Sequence, residues 1–178
     1  MSNYRQNEQD WLLAVILIVA AAFRFYDYGG WSLSNDELSA LNRLRFDNFC
    51  GMIAKGVKSG DFHPAGVQVF LWFWTEWFGN SPWMVRLPFV FAGTAAVYFV
   101  FKLGNKWFGP DTGLFSAAAM GFLQYPLLYS QIARPYSPGL LFSIMGIYFW
   151  TIIVFDKNRK SRHYIFYILS ATAALYTH

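Results

Sequence analysis

Charged residues are scarce: 13% of the 178 residues are Asp, Glu, Lys or Arg, against about 25% in an ordinary soluble domain. The few that occur are clustered, so no charge interrupts Leu87–Phe101, Thr112–Ala133 or Pro135–Phe155. Cysteine is nearly absent. With Cys50 alone, an internal disulfide and a cysteine-rich metal site are both excluded. Internal repeats and low-complexity linkers are also missing, which excludes a solenoid or a disordered array.

What is abundant is apolar and aromatic, 56% and 21% of the chain. A run of about 20 apolar residues at 1.5 Å per residue matches a hydrocarbon core about 30 Å thick. The pattern predicts an all-α fold, a polytopic transmembrane helix bundle with juxtamembrane helices in the first external loop. Expected spans are 11–26, 84–101, 112–129, 137–155 and 164–178. The net charge of +4 is no sign of nucleic-acid binding. Much of the excess lies in Lys157, Arg159, Lys160 and Arg162, a basic linker between apolar runs of the kind that stays cytoplasmic. The segment 65–78 is short, carries Gln68 and Glu76, and holds Trp72, Trp74 and Trp77; it reads as a helix lying at the interface. With that segment not spanning, the basic linkers fall on the same side as the N-terminus. The loop 27–83 and the short loop 130–136 then face outward. The first segment lacks a strongly basic start and a cleavage site, so it reads as a membrane helix and not a signal peptide. The last helix ends at His178, and residues 1–178 therefore read as the N-terminal part of a longer protein.

Three features meet on the external side. Ser34-Asn35-Asp36-Glu37 has the form of a capping box opening a helix, with both carboxylates favoured by the helix dipole; adjacent carboxylates there can also serve as a general base or orient an acceptor. His63-Pro64 opens the Trp-rich segment, where proline suits the first helical position and His63 is either a cap or a donor to a phosphate or sugar. Arg24, Arg86 and Arg134 lie at or near membrane depth, where a charge needs a polar cavity or a partner. Snorkelling to headgroups is the expectation for Arg24, and anion binding for Arg134, whose planar fork fits phosphate oxygens.

These motifs occur together, in order, along nearly the whole chain. They run from Asp36-Glu37 and His63-Pro64 to Gly79-Asn80-Ser81-Pro82-Trp83 before Arg86-Leu87-Pro88. Trp107-Phe108-Gly109, Tyr129-Ser130-Gln131, Ala133-Arg134-Pro135-Tyr136-Ser137 and Tyr176-Thr177-His178 follow. In this the chain resembles the dolichyl-phosphate-mannose-protein mannosyltransferase type of bacterial membrane glycosyltransferase, which is related to the lipid A aminoarabinose transferases of the C-type superfamily. The resemblance implies inverting transfer of a hexosyl or pentosyl group from a polyprenyl-phosphate-linked sugar to a lipid, glycan or protein acceptor. The reaction would take place at the outer face of a bacterial inner membrane. It implies Asp36 as the base, Glu37 as its support or an acceptor-binding residue, Arg86 and Arg134 on the donor phosphate, and His63 and Tyr136 lining the pocket. Relatives often carry an acid two residues before the second-loop arginine; Ile132 stands there. No cofactor is called for. A divalent metal is compatible with these residues but not demanded by them, and none is assigned as a metal ligand. The portion 1–178 alone is expected to be inactive. A transporter piece would place charges or broken helices near mid-membrane, and an O-antigen ligase or polymerase would not be expected to place an acidic pair directly after its first helix.

Overall fold

The computed structural model describes residues 2–58 and 64–177, with side chains from residue 6 onward. Among the described residues all regular structure is helical. The order is α1 (Ser2–Phe25), α2 (Asn35–Asn42), α3 (Phe49–Gly51, running into a π-helical stretch at Met52–Val57), α4 (Gly66–Phe78) and α5 (Pro82–Phe108). Then come α6 (Pro110–Phe122), α7 (Gln124–Ser130), α8 (Tyr136–Phe155) and α9 (Ser161–Thr177). Two of these, α5 and α8, are long and apolar enough by themselves to cross a membrane.

The central helix is α5, which packs against α1, α4, α6, α7 and α8, while α9 closes on α8 and α4. Its buried side chains explain this. Val97 and Phe101 meet Leu13 and Ala20 of α1 and Ala117 of α6. Ala96 meets Leu141 and Ile144 of α8, and Val85 and Phe89 meet Val67 and Leu71 of α4. The outer surface stays apolar: Trp11, Phe115, Phe155, Ile168 and Leu175 are more than half exposed. Water would penalise such a surface, whereas lipid matches it. The molecule is an all-α membrane helix bundle.

The turns follow local chemistry. Gly109 adopts φ 95° to leave α5, a conformation that costs an L side chain energy, and Pro110 then starts α6 with a preset φ. At this end Lys106 pairs with Asp156, and the Trp107 indole N–H donates to Thr151 Oγ1 at 3.2 Å, tying the α5–α6 turn to the end of α8. Ser81 caps α5 with Pro82 at its first position.

The expected span 112–129 is not one helix. It breaks at Leu123, which is extended (ψ 136°), into α6 and α7. Pro126 accounts for the break, because it has no N–H for the Phe122 carbonyl and its ring clashes with that carbonyl in a continuous helix. One further boundary differs: the expected span 84–101 continues to Phe108, so Lys102 and Lys106 lie in the last turns of α5.

Within α5, Pro88 leaves the Met84 carbonyl without its helical donor. The Trp74 indole of α4 supplies one at 2.7 Å, so α4 is fastened where the proline opens the ladder.

A Cβ on Gly113 would lie 2.9 Å from the main-chain N of Asn105 and O of Phe101. Gly113→Ala should therefore wedge α5 from α6 and destabilise the protein by about 1–3 kcal/mol, read as a lower Tm in detergent.

Candidate functional site

The end of the bundle that carries α2 is built around one ion pair. Ser34 caps α2, its hydroxyl accepting from Glu37 N at 3.3 Å and its own N–H donating to Glu37 Oε2 at 2.9 Å. This reciprocal box turns the Glu37 side chain inward, where it is 1% exposed. Arg86, one turn into α5 and 2% exposed, meets it in a two-pronged bond: Nε to Oε1 and Nη2 to Oε2, both 2.8 Å. Arg86 Nη1 also donates to the carbonyls of Tyr28 and Trp31, each at 3.1 Å, and Nη2 to that of Ser32 at 3.0 Å. The Trp31 ring lies 5.2 Å beneath the guanidinium. The fourth bond on Glu37 is decisive for the site, because Oε1 accepts from Ala133 N at 2.9 Å. That bond pins the turn carrying Arg134 to the N-terminus of α2.

Both partners are saturated. A carboxylate offers about four acceptor positions and a guanidinium five N–H donors, and all are occupied. Burial pushes the Glu37 carboxyl upward, but the bonds from Arg86, Ala133 and Ser34 and the Arg86 charge outweigh it and hold the group below its usual value. Arg86 was expected on a donor phosphate; with every N–H engaged, it has none left for one while the pair is intact.

The other expected residues fall as follows. Asp36 is exposed and has no hydrogen-bond or ion-pair partner among the described residues. Its charge acts on the Tyr129 hydroxyl, behind the stronger influences of Tyr125 and Tyr136. Arg134 is half-buried, and its Nε is buried with no partner among the described residues. Tyr136 opens α8, edge-on to Tyr129 at 4.7 Å, and Tyr129 in turn lies 4.2 Å from Tyr125. These three rings line a cleft of about 510 Å³ between α7 and α8, together with Arg24, Ser137 and Ser143. His63 lies outside the described residues, as does His178. No cluster of three or more metal-ligating side chains occurs among the described residues.

The expectation that Arg24 snorkels is corrected by its burial: it is 0% exposed. Nη1 donates to Ala20 O at 3.1 Å and Gly121 O at 2.9 Å, and Nη2 to Met120 O at 2.8 Å. It therefore caps the end of α6, whose last carbonyls have no helical partner. Gln131 returns the favour for α1, donating to the carbonyls of Phe23, Arg24 and Tyr26 at 3.0–3.4 Å. Tyr125, Tyr129 and Gln131 were missed as site residues. The available signal was Pro126, whose break in an apolar run brings Tyr125 and Tyr129 onto one short helix.

The fold and this polar end, set in an apolar bundle, define an integral membrane protein with a polar cluster at one end of the bundle. Comparison with known families specifies the class: the family model for dolichyl-phosphate-mannose-protein mannosyltransferases matches residues 62–178, about two thirds of the chain, and the chain belongs to that family. Membership implies a membrane glycosyltransferase that draws on a polyprenyl-phosphate sugar donor. The match takes in Arg86, Arg134 and Tyr136 and begins after Asp36 and Glu37. No curated protein and no solved structure matches the chain.

Removing one partner of a buried pair leaves a bare charge and costs about 3–5 kcal/mol. Arg86→Ala should lose stability on that scale, and Arg86→Lys should rescue little of it, since one ammonium cannot span these acceptors; thermal unfolding in detergent reads both. Because the folded Glu37 value is depressed below the ordinary 4.5, its stabilising contribution is complete above about pH 4.5. It disappears as pH falls through the depressed value. Glu37→Gln should remove that acid-limb dependence, measured as Tm against pH from 7 to 3.

Proposed function

We propose that the protein transfers a glycosyl group, with inversion, from a polyprenyl-phosphate-linked sugar to an acceptor at the outer face of the membrane, with Asp36 as the base. The observation that supports this most is the division of labour within the acidic pair. Glu37 is consumed in holding the site together, and Asp36 is left exposed on a rigid helix N-terminus beside the turn of Arg134. Asp36 takes the proton from the acceptor hydroxyl or amine as that atom attacks the anomeric carbon. The bond from that carbon to the phosphate oxygen breaks, and polyprenyl phosphate departs unprotonated. Such a departure needs preorganised positive charge, which Arg134 supplies, its Nε having no partner among the described residues. Arg86 enters as a positioning residue that fixes both Asp36 and Arg134 through Glu37. Tyr136 lines the donor side of the pocket.

The orientation that fits is N-terminus inside, residues 27–83 outside and the 156–163 linker inside, in a multi-pass protein of a bacterial inner membrane. It places the acidic pair and the Arg134 turn at one leaflet boundary. Accessibility tagging checks it: labels in the 27–83 loop should react from outside and labels at 156–163 should not.

In the full-length enzyme, Asp36→Asn should abolish transfer, by 10²-fold or more on the usual scale for a general base, with donor binding unchanged. Retained turnover would eliminate Asp36 as the base. Arg134→Ala should raise the apparent donor KM; an unchanged KM would count against its phosphate role.

A further inference from the structure

At the end of α5 opposite Arg86, α5 and α8 finish side by side. Lys106, Trp107 and Phe108 of α5 and Trp150, Thr151 and Phe155 of α8 enclose a groove of about 480 Å³. Its polar side chains are already satisfied. The Thr151 hydroxyl accepts from the Trp107 indole and donates to the Ile147 carbonyl at 2.8 Å, and Lys106 pairs with Asp156. What the groove offers an occupant is therefore aromatic: Phe108 and Phe155 are more than half exposed, and Trp107 and Trp150 nearly half. Aromatic side chains gather where hydrocarbon gives way to headgroups. A groove with no free polar side chain inside suits a hydrocarbon chain, since a polar occupant would lose its hydrogen bonds there.

Beside the groove the chain is strongly basic. Lys157, Arg159, Lys160 and Arg162 follow directly on Phe155 and Asp156, and all four are exposed. Arg159 donates through Nη1 to the Ile153 carbonyl at 3.1 Å, which folds the linker back over the end of α8. The side chains of Lys157, Lys160 and Arg162 have no hydrogen-bond or ion-pair partner among the described residues. Asp156, the one acid between Phe155 and α9, is neutralised by Lys106. Asp10 and Asp111 line a separate cavity formed by α1, α5 and α6. Uncompensated cations at the rim of an apolar groove complement a molecule that joins a hydrocarbon chain to an anionic head. We propose that the groove and the linker bind a phospholipid of net negative charge, its acyl chain between the ends of α5 and α8 and its headgroup among the linker cations. Each lysine or arginine near an anionic lipid surface adds about fivefold in affinity. The site lies at the opposite end of α5 from the Glu37–Arg86 pair, so the inference goes beyond the transfer reading and does not rest on it.

The experiment titrates the full-length protein in neutral detergent and reads bound lipid by native mass spectrometry alongside Tm. The probes are phosphatidylglycerol, phosphatidylcholine with the same acyl chains, and inorganic phosphate. Wild type should bind phosphatidylglycerol more tightly than phosphatidylcholine by about tenfold or more, with the larger rise in Tm. Lys160→Gln/Arg162→Gln should weaken phosphatidylglycerol by about tenfold or more and leave phosphatidylcholine unchanged. Phe155→Ala should weaken both lipids, because it removes a wall of the groove. Equal affinity for the two lipids in wild type, or an undiminished preference for phosphatidylglycerol in the double variant, overturns the proposal. A Tm response to inorganic phosphate equal to that of phosphatidylglycerol marks a free-anion site and overturns it too. Unchanged lipid affinity in Phe155→Ala overturns the groove as the seat of the chain. Should Lys160→Gln/Arg162→Gln not fold, Lys157→Gln/Lys160→Gln replaces it under the same criteria. No transfer activity enters these measurements, so this proposal and the enzymatic reading fail separately.

Discussion

The buried pair of Glu37 and Arg86 is the interaction on which the whole α2 end of the molecule depends. It joins four separated stretches: the turn after α1 through three carbonyls, the N-terminus of α2 through the capping box, the start of α5, and the turn at Ala133. A buried ion pair is a weak source of net stability, because desolvation offsets most of its attraction. Its value lies in specificity. A carboxylate with four filled positions and a guanidinium with five tolerate only one arrangement of these segments, and a lysine could not reproduce it. That arrangement presents Asp36 outward and brings the Arg134 turn beside it.

A second constraint comes from the solvent. Inside lipid, backbone groups released by a broken helix have no water to bond, and here they are met by side chains from neighbouring elements. Arg24 covers the end of α6, Gln131 the end of α1, Trp74 the carbonyl freed by Pro88, and Ser137 the Phe89 carbonyl at 2.9 Å. Most of these repairs fall at the end of the bundle that holds Asp36. In an apolar bundle irregular backbone is tolerated where it is buried in protein or lines a cavity, and the break between α6 and α7 adjoins such a cavity, the cleft between α7 and α8. The packing that stabilises the fold therefore also assembles the cleft between α7 and α8.

Family membership and the geometry bear on different parts of the chain. The family match begins after the acidic pair, whereas the hydrogen bond from Ala133 to Glu37 attaches that pair to matched residues. The bond is what ties the segment carrying the acidic pair to the matched part of the chain.

Much of this was readable in the residues themselves, because it depends on local periodicity and composition. Uncharged runs marked the long helices, the Trp-rich 65–78 segment stood out as a separate helix, and Ser34 with Glu37 three residues on foretold the capping box. The membrane bundle follows from the same scarcity of charge. Residue type also singled out Asp36, Glu37, Arg86 and Arg134, since charges are conspicuous in an apolar sequence. What partners each charge takes was decided only by tertiary structure. Arg24 and Arg86 look alike in sequence, each a lone arginine at the end of an apolar run, yet one caps a broken helix beneath a cleft and the other saturates a carboxylate 49 positions away. Local sequence carries helix-forming tendency at a range of three or four residues. The satisfaction of a buried charge is settled by whichever distant backbone and side-chain groups the packing of the helices brings within about 3 Å.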